Sequence, residues 1–187
     1  MSVKKIAVII GSLRKASLTR QIALELIALA PPSLHCEIVE IGELALYNQD
    51  LEENGAIAPQ AWTQFRQRVQ EADGVLFLTP EYNRSVPAAI KNALDVGSRP
   101  YGSSVWSGKP GAVISISPGA LGGFGANHAL RQSMVFLDVP LLQQPEAYIG
   151  HAASILDADG KLNNDASKQF LSKFAEAYAA WVALHAK

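Results

Sequence analysis

Short apolar runs alternate with longer stretches of helical periodicity along the chain. Val3 to Ile10 is a β-branched run closed by Gly11, which predicts a buried strand. Leu18 to Ala30 sets Ile22, Leu26 and Leu29 on one face of a helix that Pro31 and Pro32 stop. Leu34 to Ile41, with Cys36, Ile38 and Ile41 recurring, is the expected second strand. Gly42 to Ala58 has no clear period and carries Asn48, Asp50, Glu52, Glu53 and Gly55, so an exposed loop is expected. Pro59 to Ala72 fits a helix with proline in its first turn and Trp62, Phe65 and Val69 on one face. Gly74 to Thr79 is continuously apolar, as a central strand covered on both faces requires, and Pro80 ends it. A short helix over Pro87 to Val96, a fourth strand over Gly111 to Ser117 and a helix over Gly122 to Leu137 follow. Val139 to Ile149 reads as a fifth extended segment. Asn163 to His185 is the last helix, with Phe170, Phe174, Ala177 and Trp181 as its apolar stripe.

Five strands alternating with five helices predict a doubly wound α/β fold, with no linker to divide residues 1–187 into two domains. For a five-stranded parallel sheet with helices on both faces, the expected order is the flavodoxin-like 2-1-3-4-5. Ligands of such sheets sit beyond the carboxyl ends of the strands, where the winding reverses. That singles out the loops beginning at Gly11, Pro80 and Ser117.

Composition narrows the field. Hydrophobic residues at 49% and charged residues at 18% of 187 suit one buried core rather than a disordered chain. Lys plus Arg number 16 against 17 Asp plus Glu, and the resulting charge of -1 argues against a dedicated nucleic-acid binder. The one cysteine, Cys36, excludes an internal disulfide and a cysteine-cluster metal site, and reads as a small buried hydrophobe. His35, His128, His151 and His185 fall in no ligand spacing, so no metal is expected. The apolar run Ile6 to Ile10 is too short for a signal peptide, and the uncharged stretch Pro110 to Leu130 is too rich in glycine for a membrane span. A cytoplasmic protein is the expectation.

The three loops carry unusual residues. The first, Gly11 to Arg20, holds hydroxyls at Ser12, Ser17 and Thr19 and cations at Arg14 and Lys15 just where a helix opens. Free N–H groups and the positive helix end favour an anion there, and Arg14 offers a bidentate fork. A serine-capped helix with solvated cations explains the same residues equally well. The second loop, Thr79 to Pro87, puts Glu81, Tyr82 and Asn83 on the rim, where they suit a planar heterocycle or a simple turn capped by Asn83 or Ser85. The third, Ser117 to Gly125, has four glycines that permit close approach to a flat ligand, or mark a flexible loop.

Taken together, Gly11-Ser-Leu-Arg-Lys-Ala-Ser17, Thr79-Pro-Glu-Tyr-Asn83 with Ser85-Val-Pro87 and Lys91-Asn92, and Ser117 with Gly122-Gly123 resemble the NADPH-dependent FMN reductase family, most closely its bacterial quinone and chromate reductase branch. The resemblance implies a flavodoxin-like fold with bound FMN. It implies that Ser12, Arg14, Ser17 and Thr19 hold the FMN phosphate, helped by the backbone of Leu13, Lys15 and Leu18. It puts Pro80, Glu81, Tyr82 and Asn83 against the isoalloxazine ring, with Ser117 and Gly119 closing its other side. Arg84, Gly122 and Gly123 fall near the substrate and nicotinamide. The family often has Gly and Asn where this chain has Ala16 and Thr19, and another residue where it has Arg84.

The implied activity is NAD(P)H oxidation, with NADPH or NADH as donor. Two electrons pass by a ping-pong cycle to quinones, chromate, azo or nitro compounds, or free flavin. The cofactor carries that chemistry, so no catalytic side chain is expected. A flavodoxin-type electron carrier and a reductase using FMN as a diffusible substrate are the alternatives. Carriers are usually strongly acidic, which this chain is not. A phosphoacceptor receiver domain needs acidic residues where this chain has Thr79 and Gly11-Ser12. The resemblance also implies a homodimer or homotetramer, with Leu137 to Glu146 and the loop around Asp50 as candidate contacts.

Overall fold

The computed structural model describes residues 2–53 and 55–186. Its strands are β1 (Lys4–Ile10), β2 (Leu34–Ile38), β3 (Gly74–Pro80), β4 (Gly111–Ile116) and β5 (Ala147–Ile149). The helices are α1 (Leu18–Leu29), α2 (Gln60–Gln70), α3 (Ala88–Gly97), α4 (Phe124–Phe136) and α5 (Asp165–His185). All strand pairs are parallel and the order is β2-β1-β3-β4-β5. The sheet is the expected flavodoxin-like one.

Side-chain alternation builds two cores. Ile6, Val8 and Ile10 of β1, Leu76 and Leu78 of β3, and Ala112, Ile114 and Ile116 of β4 join Ile22 and Leu26 of α1 and Phe174 and Tyr178 of α5. The intervening residues Ala7, Ile9, Val75, Phe77 and Val113 face the other way, toward Trp62, Ile90, Trp106 and Leu130. A strand buried on both faces has little room for polar side chains, which is why Gly74 to Leu78 reads as an unbroken run, and the one polar side chain inside β4, Ser115, accepts from Asn127 Nδ2 at 3.2 Å. Each large core side chain contributes about 1.5–3 kcal/mol on burial. Cys36 packs against the first core, and burial pushes its thiol up to about 11, so it remains an unionised apolar group at neutral pH.

Local chemistry sets the helix starts. The Ser17 hydroxyl oxygen accepts from the Arg20 N–H at 3.1 Å, and Asn164 Oδ1 accepts from Ser167 N–H at 2.8 Å. At the far end of the sheet, the Tyr178 hydroxyl donates to the Val75 carbonyl at 2.8 Å and lies 3.3 Å from the Pro110 carbonyl. It ties α5 to the start of β3 and to the residue preceding β4. No helix among the described residues is long and apolar enough to cross a membrane.

The structure refines three expectations. The fifth extended segment meets β4 at Leu141 and again over Ala147–Ile149, and residues 143–146 stay off the ladder. The Gly42 to Ala58 segment is largely exposed among its described residues, as expected, and is also docked along one side. Asn92 of α3, buried, donates to the Leu44 and Ala45 carbonyls and accepts from Tyr47 N–H, and Trp62 Nε1–H donates to the Ala45 carbonyl. A 3-10 turn over Gln49–Leu51 follows. The second strand also ends early, at Ile38, although Val39 and Ile41 remain buried.

Candidate active site

The chain leaves β1 toward one edge of the sheet and β3 toward the other, because β2 lies on the far side of β1 and β4 on the far side of β3. The loops after β1 and β3 therefore part and open a crevice at the carboxyl end. A cavity of about 230 Å³ fills it. Ser12, Arg14, Ser17, Leu18 and Thr19 line one side, Pro80, Glu81 and Tyr82 a second, and Ile116, Ser117 and Pro118 a third.

One end of the cavity is rich in hydrogen-bond donors. Ser12 and Thr19 are buried, and their hydroxyls have no hydrogen-bond partner among the described residues. The backbone N–H groups of Leu18 and Thr19, first in α1, likewise make no bond to the described residues. Ser17 is committed as the cap of α1, and Arg14 stands exposed at the lip. Donors on the cavity wall that bond no other protein group are free to meet a ligand, so this end suits an anion.

The second loop is a tight turn. Tyr82 and Ser85 exchange backbone hydrogen bonds at 3.0 and 2.9 Å, and Asn83 and Arg84 between them have φ of 50° and 66°. Positive φ at both central positions is the signature of a type I′ turn. The turn leaves Tyr82 partly exposed over the cavity rim. In the third loop the Ser117 hydroxyl accepts from Gly119 N–H at 3.0 Å, and the Ser117 N–H donates to the Ile149 carbonyl at 2.9 Å.

The family model described as NADPH-dependent FMN reductase matches residues 4–154. This chain belongs to that family. A quinone reductase of Pseudomonas putida is 59% identical over 98% of this chain and 97% of its own. A 2-hydroxy-1,4-benzoquinone reductase of a Burkholderia species is 47% identical, over 95% and 96%. Among solved structures, the flavoenzyme NAD(P)H:(acceptor) oxidoreductase FerB of Paracoccus denitrificans superposes with a TM-score of 0.91 at 39% identity, covering 99% of this chain and 100% of that one.

The residues singled out from the family's motifs divide three ways in the structure. Ser12, Arg14, Ser17, Leu18, Thr19, Pro80, Glu81, Tyr82 and Ser117 meet on the cavity. Leu13, Lys15, Asn83, Arg84 and Gly119 are exposed and lie outside its lining. Gly122 and Gly123 are buried, and the close approach at Gly122 is to protein. A Cβ on Gly122, whose φ is 59°, would sit 2.5 Å from the Tyr148 carbonyl carbon. Its lack of a side chain seats the loop against β5, which no sequence pattern within the loop reveals.

Ile116 and Pro118, not expected from the sequence, add apolar surface to the third wall of the cavity. The first is the last residue of β4, and its place at the carboxyl end of a central strand was the available signal. The partner of Glu81 was likewise not expected: its Oε2 accepts from the Ala126 N–H of α4 at 3.0 Å. The rim thus carries cations at Arg14, Lys15 and Arg84 and one carboxylate, itself engaged with a helix start.

Proposed function

We propose that this member of the FMN reductase family is an FMN-dependent NAD(P)H:quinone oxidoreductase. The observation that carries the reading is a single crevice with unpaired donors at one end and apolar or aromatic walls along the rest. That donor set fits a phosphate ester, and the walls fit a flat heterocycle. Bound FMN supplies the two-electron chemistry between a nicotinamide and an acceptor.

The roles of the residues follow from their chemistry. Ser12, Thr19 and the first amides of α1 would donate to the phosphate, and Arg14 would neutralise it from the lip, with Leu13, Lys15 and Leu18 contributing backbone. Ser17 would hold α1 in register for those donors. Pro80 and Tyr82 would bound one side of the ring and Ile116, Ser117 and Pro118 another, excluding water from it. Asn83, Arg84 and Gly119 stand outside the lining, toward solvent, where donor and acceptor enter. The Arg84 cation suits an anionic donor such as NADPH or NADH.

The relatives named for quinone reduction support a quinone acceptor. Chromate, azo and nitro compounds and free flavin are the further acceptors to compare. We also assign the protein to the cytoplasm and to a homodimer or homotetramer. The test is a spectrum of the dialysed protein followed by NADPH oxidation with 1,4-benzoquinone. Retained flavin absorbance and quinone-dependent turnover are expected. A colourless protein that binds no added FMN would overturn the reading.

A further inference from the structure

The first turn of α4 is closed by a side chain that lines the crevice. Gly123, the residue before α4, has φ of 74° and no side chain with which to cap the helix. The Ala126 N–H donates instead to Glu81 Oε2, from a residue 45 positions earlier, on the loop after β3. Gly125 makes the approach possible: a Cβ there would stand 3.0 Å from Glu81 Oε2 and 2.7 Å from the Arg84 carbonyl oxygen. The turn Tyr82–Ser85 follows at once and is held by its own reciprocal bonds, so anchoring Glu81 anchors the whole turn. Charge acts in the same place. A helix start carries roughly half a positive charge, and here a carboxylate that lines the cavity covers it.

We propose that Glu81 is a positioning residue. It clamps the Tyr82 wall of the crevice to the start of α4, and its charge offsets the positive helix end beside the bound FMN. It therefore sets both the affinity and the reduction potential of that FMN. The second statement rests on the FMN reading above, whereas the clamp itself is a property of the protein without ligand.

Wild type, Glu81→Gln and Glu81→Ala separate the two effects. Glutamine keeps an acceptor for Ala126 and removes the charge, and alanine removes both. In the ligand-free protein, hydrogen exchange at Ala126 and across Tyr82–Ser85 should quicken at least about tenfold in the alanine variant and stay within about threefold of wild type in the glutamine variant. The FMN dissociation constant, read by fluorescence quenching, should rise about tenfold for alanine and recover for glutamine. The midpoint potential of bound FMN should be higher in the glutamine variant, because the charge added on reduction no longer meets a carboxylate. Wild-type exchange and affinity in the alanine variant, or a wild-type potential in the glutamine variant, would overturn the proposal. Should wild type itself bind no FMN, the functional reading fails, and the exchange rates alone decide the clamp.

Discussion

Arg66 and Glu52 form a nearly enclosed ion pair, Nη1 to Oε2 at 2.6 Å, with side chains only 13% and 6% exposed. Arg66 Nη2 reaches the other carboxylate oxygen at 3.2 Å, its Nε–H donates to the Val96 carbonyl at 2.8 Å, and the guanidinium lies over Trp62. One arginine of α2 thereby joins α3 to the segment after β2. Glu52→Ala strands that guanidinium without its counter-charge and should cost about 2–4 kcal/mol in urea unfolding. A loss below about 0.5 kcal/mol would make the pair a surface ornament.

Arg14→Ala should weaken FMN binding about 10- to 100-fold, the loss of a charge-assisted bond in the ~1.5–3 kcal/mol range. The side chain is exposed, so the thermal midpoint without ligand should not move. Equal affinities in a fluorescence titration would remove Arg14 from the phosphate end.

Gly122→Ala should destabilise the protein by about 2–5 kcal/mol, from left-handed backbone plus overpacking. The added carbon would lie 2.5 Å from the carbonyl carbon and 2.7 Å from the carbonyl oxygen of Tyr148. Calorimetry checks this directly, and a midpoint within a degree or two of wild type would show that the loop can shift off β5.

Glu25 makes stability depend on acid. Burial alone would raise its carboxyl, but the Leu162 N–H at 3.1 Å and the Lys161 ammonium at 2.9 Å outweigh burial and hold it below the ordinary carboxylate value. A group lowered in the folded state stabilises above its unfolded pKa and loses that contribution as pH falls through its folded value. Between about pH 5 and about pH 3, Glu25→Gln should therefore lose less stability than wild type. Parallel denaturation curves for the two proteins across that range would refute the assignment.

How far the sequence could be read depends on the range of the interaction. Val75 to Leu78 announce a central strand because burial on both faces leaves no polar position. Ser17 announces a helix start because a cap acts over three residues. Asn92 gives no such sign: its bonds reach the Leu44 and Ala45 carbonyls, 48 and 47 positions away. The docking of that loop was accordingly unreadable, as was the bond from Ala126 to Glu81. At β5 the extended pattern was right for Leu141 and for Ala147–Ile149, but Pro140 and Pro145 carry no N–H for a continuous ladder.

The hydroxyl of Tyr178 fastens α5 to β3 and to Pro110 at the end of the sheet remote from the crevice. Foundation and working edge are thus held by separate sets of bonds. Changes at the exposed Asn83 and Arg84 would retune which molecules are admitted without loosening the footing on which the sheet and its helices stand.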